Sequence, residues 1–382
     1  MMFIVIAVYH PTMIVVYSGG NSNDALDFGG AISTFKNSLA EVGLFYKGFD
    51  AINGSTVRAY KYSWALFRLI FFGNPYGWQF TKSAMKLNTR KISKMIDPQT
   101  DCVVNFFQIG YTDKYRYFQV IDTTLSYLFA NYAELERISP RIKRKAIELE
   151  RLTYINAEII FVPNKEVAVE LEIKYKVFAK KIRIAPWSPN NVTEKAFDKL
   201  LEIKLNSLNQ RLEILFIGKD LERKRIDKAV KLVNLLNGRG INAVLNVVGG
   251  IPRSDKSVTS NFVTYYGFLP NKSKVLLELL EKSHIGLLFS DGEAIGISLL
   301  EFQSAGLLTI TSGSGGTKSS LFTDFCLVDD SEDLVKSIDF ITSFDFRENA
   351  REIFSKAISQ RERIVGFKEI AGQIQKNALK KS

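Results

Sequence analysis

The sequence predicts an α/β protein built from two domains, each with a parallel β-sheet. Short apolar runs of strand length alternate with amphipathic segments of helix length along most of the 382 residues. Such alternation is typical of parallel sheets covered by helices. It stops once, at Pro186-Trp-Ser-Pro-Asn-Asn191, and then restarts. We therefore place a domain boundary there, which the length of the chain also favours.

Composition and charge narrow the function classes. With 46% hydrophobic and 24% charged residues, the chain is of the globular class. The net charge of +11 arises mostly in residues 1–185, where 24 Lys and Arg face 16 Asp and Glu. Such a surface suits an anionic small substrate or anionic lipid. The sequence has no RNP motif, zinc finger or basic arm, so no nucleic-acid partner is expected.

Cysteine and histidine usage bears on cofactors and location. Cys102 and Cys326 lie in apolar runs without a CxxC partner, so we expect buried free thiols in a reducing cytoplasm. His10 and His284 are the only histidines. No metal site is expected from so few of these ligands.

The start of the chain is apolar but does not resemble a targeting segment. Met1–Val8 lacks the basic region and the cleavage site of a signal peptide. No apolar run reaches the roughly 20 residues that span a bilayer. Residues 1–12 are either an extra strand or an artefact of where the reading frame was started.

The first half begins with a strand, Ile14–Tyr17, a glycine-rich loop and a helix from Ala31. Gly29 and Gly30 close that loop. They either let the backbone approach a phosphate at the helix N-terminus or belong to an ordinary βα loop. Asp122 follows another predicted strand and either contacts an acceptor substrate or caps a helix. The other strands predicted here are 55–60, 101–108, 117–121, 157–162 and 181–185, with helices at 142–155 and 165–175.

Residues 62–95 combine many aromatic side chains with six Lys and Arg. Aromatic and basic amphipathic segments can lie in a membrane interface, attracted by anionic lipid. The other interpretation is a pair of core helices with basic, solvent-facing sides. The sequence leaves both open.

In the second half, a loop of mostly small residues leads from a strand over 284–289 into a helix over 297–305. Glu293 lies in the loop and Glu301 a little more than one turn inside the helix. Carboxylates there suit hydrogen bonds from the hydroxyls of a sugar or a ribose. The alternative is a surface loop and an exposed helical Glu. The other strands predicted are 212–217, 243–248, 262–265 and 307–311, with helices at 226–237, 272–282 and through most of 331–378, and a phosphate-binding loop at 313–317.

Four motifs of this half, in order, resemble the retaining glycosyltransferases of family four, the group 1 family. They are Phe216-Ile-Gly-Lys-Asp-Leu-Glu-Arg-Lys224, Val247-Val-Gly-Gly250, Phe262–Leu269 with its Tyr266-Gly-Phe-Leu turn, and Glu293-Ala-Ile-Gly-Ile-Ser-Leu-Leu-Glu301-Phe-Gln-Ser-Ala-Gly306. The last motif has the family's seven-residue spacing between its two glutamates. The first half resembles the family more weakly, through Gly29-Gly30 and a helix–strand pair over 148–162.

The resemblance implies the GT-B fold, in which two Rossmann-like parallel-sheet domains face each other across a cleft. It implies an N-terminal acceptor-binding domain over 1–185, a linker over 186–210 and a nucleotide-sugar donor domain over 211–355. It further implies a C-terminal helix, 356–382, that returns to the first domain.

The resemblance also implies the residues of the site. Glu293 would orient the donor sugar, Lys219 and Lys224 would contact the diphosphate, and Asp122 would stand in for an acceptor-side histidine. Glu301 would accept hydrogen bonds from the ribose hydroxyls. The remaining donor contacts would be Gly218, Ala294, Ile295, Gly296, Gly29, Gly30 and Gly249.

Three positions depart from the family's pattern. Lys219 replaces a commoner arginine, so a bidentate fork becomes a point charge. Arg225 stands where a glycine commonly follows the lysine. Ala294 replaces a glycine, and its methyl group narrows the sugar pocket.

The implied function is metal-independent, retaining transfer of a hexose from a nucleotide diphosphate sugar, which is a substrate rather than a cofactor. The acceptor would be a glycan or a lipid-linked molecule in bacterial-type surface polysaccharide or glycoconjugate synthesis. The enzyme would be cytoplasmic and would associate with the anionic inner face of the membrane. The alternatives are a non-catalytic nucleotide-sugar-binding or partner subunit on the same fold and a sugar-nucleotide epimerase, which is expected to carry more acidic and histidine residues.

Overall fold

The computed structural model describes residues 13–24, 30–192, 195–251, 260–321, 324–361 and 366–379. Residues 1–12 and Gly29, for which the sequence makes predictions, lie outside these ranges. The chain divides into two compact units, Met1–Ala185 with Gly366–Ser382 and Pro186–Val365. Each unit contains one six-stranded sheet. No helix among the described residues is long and apolar enough to cross a bilayer.

The first unit's sheet has the strand order β2-β1-β3-β4-β5-β6, and its paired strands run parallel. The strands are β1 (Met13–Tyr17), β2 (Phe45–Gly48), β3 (Cys102–Asn105), β4 (Tyr117–Val120), β5 (Ile160–Val162) and β6 (Ile182–Ile184). The helices before the second unit are α1 (Ala31–Glu41), α2 (Ser55–Phe72), α3 (Lys82–Ile92), α4 (Leu125–Asn131), α5 (Pro140–Asn156) and α6 (Lys165–Ile173).

The second unit's sheet is also parallel, in the order β12-β11-β10-β7-β8-β9. The strands are β7 (Leu212–Gly218), β8 (Ala243–Gly249), β9 (Val263–Gly267), β10 (Ile285–Leu288), β11 (Leu308–Thr311) and β12 (Cys326–Val328). The helices are α7 (Phe197–Gln210), α8 (Ile226–Gly238), α9 (Lys274–Lys282), α10 (Ile297–Ser304), α11 (Val335–Ser343) and α12 (Phe346–Arg361).

Helices cover both faces of the second sheet, which explains the continuous apolar runs of its strands. Ile214 and Phe216 of β7 point into a core shared with α8 and α11. Leu215 points to the other face, into a core shared with α9 and α10. The predicted α/β class, with two parallel-sheet domains, is therefore confirmed.

The prediction of a strand over residues 55–60 is wrong. β-Branched Thr56 and Val57 favour a strand locally, but the structure has the 18-residue helix α2 there. No glycine or proline interrupts the chain between Gly54 and Gly73, so a long helix can form. Sequence analysis also misses β2, an edge strand with no buried side chain and therefore no apolar signal.

The expected linker over 186–210 is not separate from the second unit, which begins at Pro186. Its residues include helix α7, whose Leu200 and Leu201 are buried. The ammonium group of Lys204 is buried as well and donates hydrogen bonds to the carbonyls of Leu280 and Ser283.

A C-terminal helix returns to the first unit, as predicted, but it begins later than residue 356. Residues up to Arg361 belong to α12, and the returning helix is α13 (Gly366–Leu379). The Phe367 ring packs edge-on against Phe35 of α1, with ring centroids 5.7 Å apart. An apolar contact of this kind anchors the end of the chain to the first unit.

The carboxyl ends of β7 and β8 approach each other closely at Gly218 and Gly249, which are partners in the ladder. Gly249 has a φ of +120°, and a Cβ there would lie 2.2 Å from the Gly218 carbonyl oxygen. Both the backbone conformation and the space therefore require glycine at residue 249.

We predict that Gly249→Ala lowers the free energy of unfolding by roughly 3 kcal/mol, from a left-handed backbone and an overlap with Gly218. Gly240→Ala is the matched control, because Gly240 also has a positive φ but has open space around its Cβ position. Its cost should be about 1 kcal/mol. Denaturant unfolding of both variants measures the difference, and equal losses would contradict the steric argument.

Candidate active site

The candidate site lies where the strand order of the second unit reverses. β8 and β9 are added on one side of β7, whereas β10 is added on its other side. The loops after β7 and β10 therefore diverge from neighbouring strand ends, which is where open α/β sheets bind ligands.

The loop after β7 turns two basic residues back over the strand end. The backbone N–H of Arg223 donates to Asp220 Oδ1 at 3.2 Å, and that of Lys224 donates to the Asp220 carbonyl at 3.1 Å. The Lys224 side chain passes so close to Gly218 that a Cβ on this glycine would lie 2.5 Å from Lys224 Cδ. The predicted Gly218 thus makes room for Lys224.

The two basic side chains converge on Glu293, in the loop after β10. Glu293 Oε2 lies 3.4 Å from Arg223 Nη1 and 3.5 Å from Lys224 Nζ. All three side chains are less than a fifth exposed. Two neighbouring cations repel each other unless an anion lies between them, and here Glu293 supplies it. A diphosphate could replace the carboxylate in this position.

Arg223 is a site residue that the sequence analysis misses. Its Nε donates to Asp220 Oδ2 at 3.1 Å, and Nη1 also donates to the Gly292 carbonyl. Its own carbonyl accepts from the Asp291 N–H at 2.9 Å. The guanidinium fork that the sequence lacks at Lys219 is thus present four residues later. The sequence signal was the run Glu222-Arg-Lys-Arg225, in which the family resemblance implies a diphosphate contact for Lys224 alone.

Lys219 and Arg225, two positions that depart from the family's pattern, have different surroundings. Lys219 is exposed. Arg225 precedes α8 in the left-handed conformation, with φ of 51°, which glycine favours. Its guanidinium pairs with Asp227 at 2.9 Å and Glu332 at 3.1 Å, contacts that offset the backbone strain. These ion pairs explain how an arginine is accommodated where the family commonly has glycine.

The loop after β10 leads into α10 through Gly296, which has a φ of +75°. Ala294 and Ile295 are buried beside it. The Glu293 carbonyl accepts from the Gly316 N–H at 3.0 Å, so the predicted phosphate-binding loop, 313–317, lies against this segment. The first turn of α10 has no acidic residue, which keeps its positive dipole end favourable for an anion.

Glu301 is 3% exposed, so the alternative of an exposed helical Glu is wrong. Its Oε1 accepts hydrogen bonds from Asn191, at 3.2 Å from the backbone N–H and 2.6 Å from Nδ2. Burial raises the pKa of Glu301 to about 7, while Asn191 and the charge of Lys224 act to lower it. A buried carboxylate with a perturbed pKa is typical of a functional site.

Asn191 is the second residue that the sequence analysis misses. Its Oδ1 accepts from the Lys272 N–H at 2.6 Å, so it joins the Pro186–Asn191 segment to both the turn before α9 and Glu301. A contact between positions 191 and 301 leaves no local pattern in the sequence. The proline- and asparagine-rich break was the available sign that this segment has a special conformation.

The sequence of the second unit was compared with those of known protein families. Residues 198–361 match the sequence model of the family described as "Glycosyl transferases group 1". Most of the second unit is therefore similar in sequence to a group 1 glycosyltransferase domain. The four motifs on which the predicted resemblance rested lie within the matched residues.

Solved structures with the same fold include the following three proteins. Sucrose-phosphate synthase from Thermosynechococcus elongatus has a TM-score of 0.68 at 12% identity, over 98% of this chain and 100% of that one. HepE from Anabaena in complex with UDP-glucose has a TM-score of 0.59 at 14% identity, over 96% and 99%. WaaG, a glycosyltransferase involved in lipopolysaccharide biosynthesis, has 0.56 at 16%, over 95% and 94%. These likenesses show the GT-B fold. No curated protein sequence matches this chain.

The remaining predicted site residues are distributed between the second unit and the first. Gly249 is the last residue of β8 and pairs with Gly218. In the first unit, Gly30 precedes α1 with a φ of +94°. Asp122 follows β4, and its Oδ1 accepts from the Thr123 N–H at 2.8 Å. The alternative that Asp122 caps a helix is wrong, because Thr124 Oγ1 caps α4.

A buried carboxylate, Glu150, holds the start of α4 in the first unit. Its Oε1 accepts from the Leu125 N–H at 2.7 Å and from the Tyr154 hydroxyl at 2.6 Å. The Tyr175 hydroxyl donates to Oε2. Burial raises the pKa of Glu150 to about 8. The network fixes the segment that carries Asp122, and sequence analysis gives no sign of it.

The side chains that commonly bind metal ions do not cluster in the described parts of either unit. No group of three or more His, Cys, Asp or Glu in those ranges is arranged to hold a metal ion. His284 has a structural role: Nδ1 accepts from the Glu213 N–H at 3.0 Å, and burial lowers its pKa to about 4. Cys102 is buried, and Cys326 is half-buried rather than buried as expected; both are free thiols.

We predict that Arg223→Ala weakens binding of a nucleoside diphosphate by roughly tenfold to a hundredfold, because two charge-assisted hydrogen bonds are lost. Binding of the corresponding nucleoside should hardly change. Arg239→Ala is the control, since Arg239 is half exposed and distant in sequence from the site loops. Calorimetric titration with UDP, GDP and ADP measures the effect. Unchanged diphosphate affinity in Arg223→Ala would contradict the role.

We predict that ionisation of the buried Glu301 lowers the free energy of unfolding, so that this effect depends on pH. Since burial raises its pKa from 4.5 to about 7, ionisation disfavours the folded state, and stability falls as the pH rises through this interval. The penalty approaches roughly 3 kcal/mol above pH 7. The gain in unfolding free energy from Glu301→Gln should therefore be larger at pH 8 than at pH 5.

Thermal unfolding at both pH values measures this difference. Glu202→Gln is the control for the loss of a carboxylate, because Glu202 is exposed on α7. A pH-independent effect of Glu301→Gln would contradict the predicted ionisation of Glu301.

Proposed function

We propose that the protein is a retaining hexosyltransferase that uses a nucleotide diphosphate sugar and requires no metal ion. The acceptor is a glycan or a lipid-linked molecule in surface polysaccharide or glycoconjugate synthesis. The convergence of Arg223 and Lys224 on Glu293, beside the N-terminus of α10, supports this proposal most directly.

The chemistry of the leaving group explains why cations matter. Negative charge grows on the diphosphate as the glycosidic bond breaks, so fixed positive groups stabilise the transition state more than the ground state. Arg223, Lys224 and the dipole of α10 supply this positive charge. They stabilise the negative charge of the leaving group, as a metal ion does in other phosphate-transfer sites.

The carboxylates take complementary roles in the proposed reaction. When the diphosphate occupies the two cations, Glu293 is released from them and its oxygens can accept hydrogen bonds from the donor sugar. Glu301 accepts hydrogen bonds from the ribose hydroxyls, in place of those from Asn191. Asp122, with the fixed loop before α4, contributes on the acceptor side.

The structural neighbours suggest which donor to test first. HepE was solved with UDP-glucose, and WaaG is involved in lipopolysaccharide biosynthesis. UDP-glucose is therefore the first donor to test, and a surface glycan the first acceptor class. The free thiols and the basic first unit fit a cytoplasmic enzyme at the inner face of a membrane.

We predict transfer from an α-linked donor to an α-linked product, detected by NMR of the anomeric proton, with a rate unchanged by EDTA. Glu293→Gln should lower turnover by roughly a hundredfold or more. Glu278→Gln, an exposed glutamate of α9, is the control and should leave turnover unchanged. A β-linked product or loss of activity in EDTA would contradict the mechanism. Nucleotide binding without turnover across donors and acceptors would favour the non-catalytic alternative.

A further inference from the structure

The second half of helix α2 presents a large apolar surface on the first unit. Only Val57 and Arg68 of its 18 residues are buried. Seven large side chains are more than half exposed, and we call them the α2 patch: Tyr62, Leu66, Phe67, Leu69, Ile70, Phe71 and Phe72. Patches of this kind mark a surface that another phase or molecule covers.

The patch belongs to a well-formed helix. The Gly73 N–H donates to the Leu69 carbonyl at 3.1 Å and the Asn74 N–H to the Arg68 carbonyl at 3.3 Å, which closes the last turn with a left-handed glycine. The Phe67 and Phe71 rings pack with centroids 4.8 Å apart. The apolar side chains are thus held together at the surface by a capped helix.

The chain segment that carries the patch has charges of one sign. Residues 51–96 contain eight Lys and Arg and no Asp or Glu. The exposed ones are Arg58, Lys61, Lys82, Lys86, Arg90 and Lys94. At the far end of the helix, Asn74 Nδ2 donates to the Arg137 carbonyl, in a neighbouring segment whose exposed charges, Glu134, Glu136 and Arg137, are mixed. An apolar helix end on a segment with eight basic and no acidic residues complements an anionic lipid surface.

We propose that the α2 patch inserts into the interface of an anionic membrane and docks the first unit on it. The exposed apolar residues occupy most directions around the last two turns of α2, not one narrow stripe. A protein groove accepts a stripe at i, i+3, i+4 and i+7, whereas an acyl-chain boundary accepts apolar groups from every side. Docking on the membrane is argued from α2 alone. Only the purpose of docking, the capture of a lipid-linked acceptor, rests on the proposed function.

The test is co-sedimentation of the full chain with vesicles of phosphatidylglycerol and phosphatidylcholine, compared with phosphatidylcholine alone. The wild type should bind the anionic vesicles at least tenfold more tightly, and added salt should weaken this binding. Phe67→Ser/Ile70→Ser/Phe71→Ser should lower the affinity by roughly a hundredfold. The three side chains are exposed, so the melting temperature should stay unchanged.

Ile173→Ser/Phe178→Ser is the matched control, because both side chains are at least as exposed as those of the patch and lie elsewhere on the same unit. It should bind vesicles like the wild type. Nucleotide binding by the triple variant, measured separately, should also equal that of the wild type. This readout separates failure of docking from failure of the proposed function.

Four results would overturn the proposal. The first is no binding of the wild type to anionic vesicles, and the second is an equal loss in the control. The third is a wild-type dimer that the triple variant splits while vesicle binding persists, which would assign the patch to a second copy of the chain. A variant lacking residues 1–12 should keep binding; its failure to bind would move the anchor to that apolar segment.

Discussion

The carboxylate of Glu293, between Arg223 and Lys224, joins the loops that follow two neighbouring strands of the second sheet. Two cations adjacent in sequence converge on one oxygen, an arrangement that requires an anion. The surrounding structure supports the contact: Asp220 turns the first loop, Gly218 leaves room for Lys224, and Gly296 opens α10. The site therefore depends on backbone turns at the ends of parallel strands as much as on its charged groups.

Glu301 illustrates a different constraint. Its burial costs stability wherever it is ionised, and the hydrogen bonds from Asn191 offset only part of this, since its pKa stays raised at about 7. A fold selected for stability alone would place an apolar side chain there. Functional sites are where such local costs in stability are retained. The hydroxyl groups of a ribose are donors that suit the buried Glu301 carboxylate.

Much of the second unit could be predicted from sequence because strands β7, β8, β10 and β11 are mostly buried, and each ends at a glycine or a small-residue loop. Glu293 and Glu301 were found through their position at the start of α10. Arg223 was missed because its role follows from how the turn at Asp220 folds. Asn191 was missed because it contacts Glu301 across 110 positions of sequence. In the first unit, α2 was misread at its start, since Thr56 and Val57 favour a strand and the exposed Phe67 and Phe71 carry no amphipathic signal.

The most direct test of the site is a thermal-shift titration with UDP, GDP and ADP on the wild type and on Glu301→Gln. A ligand at about 100 times its dissociation constant stabilises the folded protein by roughly 2.7 kcal/mol. Our account predicts stabilisation by one of the three nucleotides, and its loss or strong reduction in Glu301→Gln. No stabilisation by any of them, or an equal shift in both proteins, would contradict a nucleotide site built around Glu301.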